Sequence, residues 1–387
     1  MKDIIQCFEE YKSVAEKTYD AGFFSVEKVA ELANAAQLSD ENISFLCDFM
    51  KYADENEAIK HFMWQYYYLL FKTDEDFSSD IGVIERIAVP EESEKRFLGG
   101  AKAVIFLLAV ENLKEWGAGK DIDLQALVES YYDRYRYMVS LNYVSHEIYG
   151  LFRLAPFLYG YAKPFILRVG RLNFQLAEFR DYGELYEDKN GNRIFAALPN
   201  YTYDNNGLNA KDGFVPSYSA DDNYVTAHVF DFENKGKLNL EPRRIDLSVY
   251  EKKLVPGDRV IMVHIPEGGK LTSDIVIKSI KDAQVLFRKY FPPFKAVVCQ
   301  TWFISPGLRG EVVKDGSNMA AFADLYDVIS GTDSDNFSIF EHIFRAKKQP
   351  LENLVPENDF QKRILARALR GEKLHWGFGI LKKEYEI

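Results

Sequence analysis

Cysteine is scarce. The 387 residues hold three, Cys7, Cys47 and Cys299, widely separated and without a C-x-x-C pair. Disulfide frameworks and thiolate metal sites need paired or closely spaced cysteines, so neither is expected, and reduced thiols in a cytoplasm fit the pattern. Long apolar runs are missing too: the most tempting, residues 103–110, falls far short of the roughly 20 residues that cross a bilayer. The N-terminus, Met1-Lys2-Asp3-Ile4-Ile5-Gln6, turns acidic by Glu9-Glu10 and has no apolar signal core. A cytoplasmic protein without a membrane partner is the expectation. The formal net charge of -11 is spread along the chain without a long basic run, so no nucleic-acid partner is expected either. His146, His228, His342 and His375 lack paired ligand spacing, and no metal site is predicted.

What the chain does have is enough apolar material for more than one core: 47% of its residues are hydrophobic, and a chain this long divides into two domains by default. The first part is helical. Ile4, Phe8, Tyr11 and Ala15 recur at three- and four-residue steps, and Ser25 is an N-cap candidate for the next helix and Ser39 or Asp40 for the one after it. A helix over about 55–72 carries His61, Trp64, Tyr68 and Phe71 on a stripe that reads as core packing. Helical signal continues over 91–116 and 124–137, then an apolar stretch over 146–161.

From residue 165 the period changes. Phe165, Leu167 and Val169 share one parity, and Leu172, Phe174 and Leu176 the other. A bulge at Gly170-Arg171 would restore one buried face. Asn190-Gly191 predicts a hairpin and Asn205-Asn206-Gly207 a loop. Strands are expected over 224–230, 259–265, 294–304 and 375–381, with helices over 273–290, 317–329 and 358–370. The reading is a helical domain over 1–162 followed by an α/β or α+β layered sheet over 163–387.

The most informative segment runs from Val260 through His264-Ile265-Pro266-Glu267-Gly268-Gly269-Lys270-Leu271-Thr272. A strand enters a Gly-Gly-Lys turn, and a helix begins at a hydroxyl residue able to cap it. Glycines permit positive φ and close backbone approach, and the first helical turn offers unpaired N–H groups at the positive end of its dipole. A phosphate or diphosphate suits such a site. The same pattern also occurs in proteins that bind nothing there.

His264-Ile265-Pro266 with Gly268-Gly269 and Leu271-Thr272, then AQVLFRKYFP over 283–292, Cys299-Gln300-Thr301-Trp302-Phe303, and Gly316-Ser317-Asn318 resemble one family. It is the bacterial N-acyltransferases with an N-terminal helical domain and a GNAT-like C-terminal domain; Gly170-Arg171-Leu172 resembles that domain's first strand. The resemblance implies an α+β chain: an all-α domain, then a mixed α/β domain around a central twisted, mostly antiparallel sheet. It implies acetyl-CoA or another acyl-CoA as donor, an amine on a small molecule or peptide as acceptor, direct transfer, and a possible homodimer. Pantetheine would lie between the strands ending at Ile265 and starting at Phe294. The thioester carbonyl would be held by backbone N–H groups near Met262 to His264.

GNAT enzymes in general carry a Q/R-x-x-G-x-G/A string, absent here, so cofactor binding would fall to Ile265, Glu267, Gly268, Gly269, Lys270, Leu271 and Thr272. His264 is the candidate base, or else a packed histidine on an apolar face. Tyr326, placed near the end of an N-x-x-A helix like the family's tyrosine but one residue late, is the candidate acid or a core residue. Gln300 and Trp302, on one face of their strand, would line the acceptor pocket. Two other classes stay open: a catalytically inactive GNAT-like binding or regulatory protein, and a thioester hydrolase using Cys299 and His264.

Overall fold

The computed structural model describes residues 4–20, 22–74, 94–151, 155–233, 236–266, 268–333, 339–372 and 374–387. The chain divides into two compact units, residues 1–167 with 345–347, and residues 168–344 with 348–387.

The first unit is helical: α1 (Ile4–Lys17), α2 (Val26–Ala35), α3 (Asp40–Asp54), α4 (Glu57–Phe71), α5 (Glu94–Leu108), α6 (Val110–Gly117), α7 (Leu124–His146) and α8 (Ala155–Ala162). Ser25 and Ser39 cap α2 and α3 as expected, their hydroxyls accepting from Lys28 N at 3.2 Å and Asn42 N at 3.4 Å. The α4 stripe packs as an amphipathic helix must, with Trp64 Nε1 donating to Ala15 O at 2.8 Å. His61 sits at its edge, 2.7 Å from Glu16 through Nδ1 and stacked 4.0 Å from Tyr19. The signal over 91–116 resolves into α5 and α6, and residues 91–93 lie outside the described residues.

Among the described residues the second unit holds three sheets. Its elements are β1 (Ile166–Val169), β2 (Leu172–Glu178), β3 (Gly183–Asp188), β4 (Arg193–Ala197), β5 (Tyr218–Ala220), β6 (Tyr224–Ala227), β7 (Val229–Asp231), β8 (Lys237–Leu238), β9 (Arg243–Asp246), β10 (Tyr250–Leu254), β11 (Arg259–His264), α9 (Ser273–Tyr290), β12 (Ala296–Thr301), α10 (Asn318–Ala323), β13 (Tyr326–Asp333), α11 (Asp359–Leu369) and β14 (His375–Leu381). The main sheet has the order β1-β2-β11-β12-β14-β13. Its β2–β11, β12–β14 and β13–β14 pairs are antiparallel, and β11–β12 is parallel. A five-stranded sheet, β10-β3-β4-β7-β8, faces it across one core in which Val260, Met262, Val298 and Phe378 meet Phe195 and Phe230. The crossover helix α9 joins the parallel pair and buries Val276, Ile280, Ala283 and Phe287. Because one face of the main sheet belongs to the two-sheet core, the crossover must cover the other.

Several expectations are corrected here. Gly170-Arg171 is not a bulge but a two-residue turn between the neighbouring strands β1 and β2, with Gly170 at φ +58°. Both devices leave the same parity change, because residues flanking a two-residue turn face the same side. The strand expected over 224–230 breaks at His228, which is buried: its Nδ1 accepts from Ser217 N at 2.9 Å and its Nε2 faces Leu240 O at 3.1 Å. That ring lets the chain pass from the three-stranded sheet β5-β6-β9 to the five-stranded one. The strand expected over 294–304 stops at Thr301, whose hydroxyl accepts from Phe303 N and starts a 3-10 turn, Trp302–Ile304. The helix expected over 317–329 stops at Ala323 and Tyr326 opens β13, because the β-formers Val328 and Ile329 pair with Gly379 and Phe378.

Candidate functional site

The parallel pair β11–β12 is in register from Val260 with Ala296 to Val263 with Cys299. Beyond that point each strand keeps only its outer neighbour. His264 continues opposite Asn173 of β2, while Gln300 and Thr301 continue opposite Phe378 and Gly377 of β14. The two strands therefore part at their C-terminal ends, and edge N–H and C=O groups face the opening.

Directly after β11 comes the turn into α9. Gly268 and Gly269 have φ of +81° and +61°, conformations that glycine adopts without penalty. A β-carbon at Gly268 would meet nothing within 4 Å, so the turn is open on that side. Thr272 occupies the N-cap position but its side chain does not cap the helix. Its hydroxyl bonds instead to Asp274, a bond that holds this carboxyl below its usual range. The N–H groups of 268–273 find no acceptor among the described residues. They stand at the helix end that carries roughly half a positive charge. Lys270 is exposed beside them; Glu267 lies outside the described residues. Arg171, at the β1–β2 turn, reaches across: its Nη1 donates to Pro266 O at 2.9 Å and its Nη2 to Gly269 O at 3.2 Å.

His264 shares the two-sheet core face with Val260 and Met262, at its polar end. Its Nε2 lies 2.8 Å from Gln175 Oε1. Across from it Asn173 is buried, and its Oδ1 has no partner among the described residues. Gln300 falls on the same face and donates to the Tyr182 hydroxyl at 3.1 Å; Tyr182 in turn stacks on Tyr201 at 4.9 Å. Trp302 leaves the strand for the 3-10 turn, so it does not share a strand face with Gln300, and it stacks on Phe360 at 5.3 Å. Tyr326 lies on the α9 side of the sheet. It packs over Gly379, is 3% exposed, and has no partner for its hydroxyl among the described residues. Burial, then the neighbouring Cys299, pushes this phenol well above 10, which keeps it protonated.

Cys299 pairs in register with Val263, so its side chain points away from His264. Its thiol is buried and pushed up by that burial. The cysteine–histidine hydrolase is thereby excluded, since a thiol this desolvated on the far face of the sheet cannot be activated by that imidazole. Arg171, Asn173, Gln175 and Tyr182 carried no functional assignment from the sequence. Arg171 stood in the Gly170-Arg171-Leu172 triplet, but its contacts lie 95 and 98 residues away, and no local period reports them.

Comparison with known proteins adds the following. No curated protein sequence matches the chain. Among solved structures, an acyltransferase in complex with decanoyl-CoA aligns over 92% of this chain and 88% of its own, at 17% identity and a TM-score of 0.59. An acyltransferase in complex with decanoyl-CoA and teicoplanin aligns over 92% and 88%, at 16% identity and 0.57. An acyltransferase in complex with CoA and 10C-teicoplanin aligns over 91% and 86%, at 17% and 0.55. At these identities the likeness is one of fold. The sequence model of the GNAT-like C-terminal domain matches residues 166–381, more than half of the chain, and the chain belongs to that family.

Proposed function

We propose that the chain is an acyl-CoA-dependent N-acyltransferase that moves an acyl group to an amine of a small molecule or peptide by direct transfer. The observation that carries this reading is the opening between β11 and β12 immediately before a donor-rich, glycine-containing turn. An extended thiol-bearing arm fits the opening, and a diphosphate fits the turn. The acyltransferases of like fold, in complex with decanoyl-CoA and with teicoplanin, favour an acyl donor of this class and an acceptor of moderate size. The proposed domain limits are 1–162 and 163–387.

In this reading Ile265 and residues 267–272 hold the donor, with the N–H groups of residues 268–273 directed at its diphosphate. The thioester, when bound, supplies an activated acyl carbonyl. His264 takes a proton from the acceptor amine on one side of the sheet. Tyr326, whose raised pKa keeps its proton in place, is the donor to the departing sulfur on the other side. Gln300, braced by the buried Tyr182 hydroxyl, lines the acceptor side, with Trp302 beyond it. Gln175 orients the imidazole. Calorimetry of the purified protein with acetyl-CoA and longer acyl-CoAs is the test, followed by free-thiol release in the presence of amines. Saturable heat and amine-dependent release are expected. No heat with any acyl-CoA at high concentration removes the reading, and binding without release with any amine leaves a donor-binding protein only.

A further inference from the structure

Arg171 sits at the tip of the β1–β2 turn, and the turn is locked to α9. Its backbone N–H donates to Ser279 Oγ at 2.9 Å, and that hydroxyl donates to Ile275 O at 2.8 Å in the helix. A β-carbon at Gly170 would collide with Ser279 Oγ, so this approach needs glycine. From that anchor the guanidinium extends against Gly269, whose β-carbon position lies 3.2 Å from Arg171 Nε. Its two terminal nitrogens span the turn, one on Pro266 O and one on Gly269 O. Among the described residues no carboxylate pairs with it, and its Nε, buried, has no acceptor. Desolvation, and then the charge of Arg168, lowers its pKa, as expected for a guanidinium drawn partly out of solvent against the turn.

We propose that Arg171 is a positioning residue: its two-pronged bridge fixes the direction of the N–H groups of residues 268–272 and so sets the affinity for the coenzyme A diphosphate, an inference that rests on the acyl-CoA reading above. Two adjacent glycines give the turn more conformational freedom than any other pair of residues. Binding to a turn that must first be ordered carries that entropy as lost affinity, and a bridge formed in advance removes the loss. A guanidinium suits the task because its donors diverge in a fixed plane. A lysine ammonium carries the same charge but cannot hold two carbonyls in that geometry.

The experiment titrates coenzyme A into wild-type protein, Arg171→Gln and Arg171→Lys by calorimetry, with hydrogen exchange of the 268–275 amides read against those of 280–290. At least a tenfold weaker affinity is expected for Arg171→Gln. Arg171→Lys should recover less than half of that loss on a logarithmic scale, and its free-state exchange at 268–275 should rise severalfold while 280–290 stay unchanged. A Gln variant within threefold of wild type overturns the proposal. Full rescue by lysine overturns it as well, because charge alone would then account for the effect. If Arg171→Gln does not fold, the lysine variant decides through exchange: unchanged rates at 268–275 overturn the bridge. Wild-type protein that binds no coenzyme A overturns the underlying acyl-CoA reading, whereas wild-type binding with unaffected variants overturns this proposal alone.

Discussion

Two glycine-containing turns of the sheet unit, 188–192 and 266–272, treat their own backbone donors in opposite ways. In the first, Asp188 Oδ1 accepts from Asn190 N at 2.9 Å and Asn192 N at 2.8 Å, its Oδ2 accepts from Asn192 Nδ2 at 2.7 Å, and Gly191 N donates to Asp188 O. The loop thus turns the N–H groups of Asn190, Gly191 and Asn192 onto Asp188. In the second, the cation Arg171 occupies carbonyls, not N–H groups, and the donors of 268–273 remain unclaimed by described residues. Both turns contain glycine at positive φ. The two turns thus differ in the side chain that braces them, a carboxylate on N–H groups in the first and a guanidinium on carbonyls in the second, with the Asp274 carboxylate meeting the N–H of Ile275 just beyond the latter.

The contrast is broken most directly by placing a further carboxylate at Gly269. Gly269→Asp sets a side chain at φ +61° against Arg171 and a negative charge beside the donors. Coenzyme A affinity measured by calorimetry should fall by about a hundredfold or more, the order of two charge-assisted hydrogen bonds; a change below threefold would mean that the turn faces no ligand. On the adjoining strand, His264→Ala should lower turnover by about 100-fold, within the usual range for a general base, while coenzyme A affinity stays within threefold. Steady-state constants that both hold at wild-type values would make His264 structural.

The smallest effect belongs to the closed hairpin. The Asn192 side chain and then backbone N–H groups hold Asp188 below its usual range. Burial alone would raise neighbouring Glu187, but hydrogen bonds from Lys383 and Arg193 bring it below 4.5. Carboxylates with depressed folded pKa values add stability that is complete above their unfolded values, near 4, and is lost as pH falls through the lowered folded ones. Asp327, raised by burial, works the other way over its own range. The melting temperature should thus drop below about pH 4.5, and Glu187→Gln should flatten that acid limb by about 1–3 °C.

The sequence already contained helix α9, the Asn190-Gly191 hairpin and strand β14, because each is written in local period and turn chemistry. The fold class was legible as well, helices and then, through the family resemblance, a mostly antiparallel sheet; the parallel pairing of β11 with β12 emerges only in the structure. Local pattern failed where distant partners decide. Tyr326 and Val328 follow a genuine helical start at Ser317, which accepts from Ala320 N, yet pairing with β14 converts them to strand. Thr272 had the chemistry of a cap and gave its hydroxyl to Asp274 instead. Of the candidate site, the sequence proposed the turn and His264, whereas the Arg171 bridge and the Asn173–Gln175 edge depend on strand neighbours remote in sequence.

The seclusion of the cysteines has a practical corollary. Cys7 and Cys299 are fully covered, and Cys47, half-buried, has its thiol pushed up chiefly by desolvation. Disulfide reagents attack thiolates that solvent can reach. In the folded protein such a colorimetric reagent should meet little competition from the chain itself, so that the yellow it develops would count any coenzyme set free by the proposed transfer.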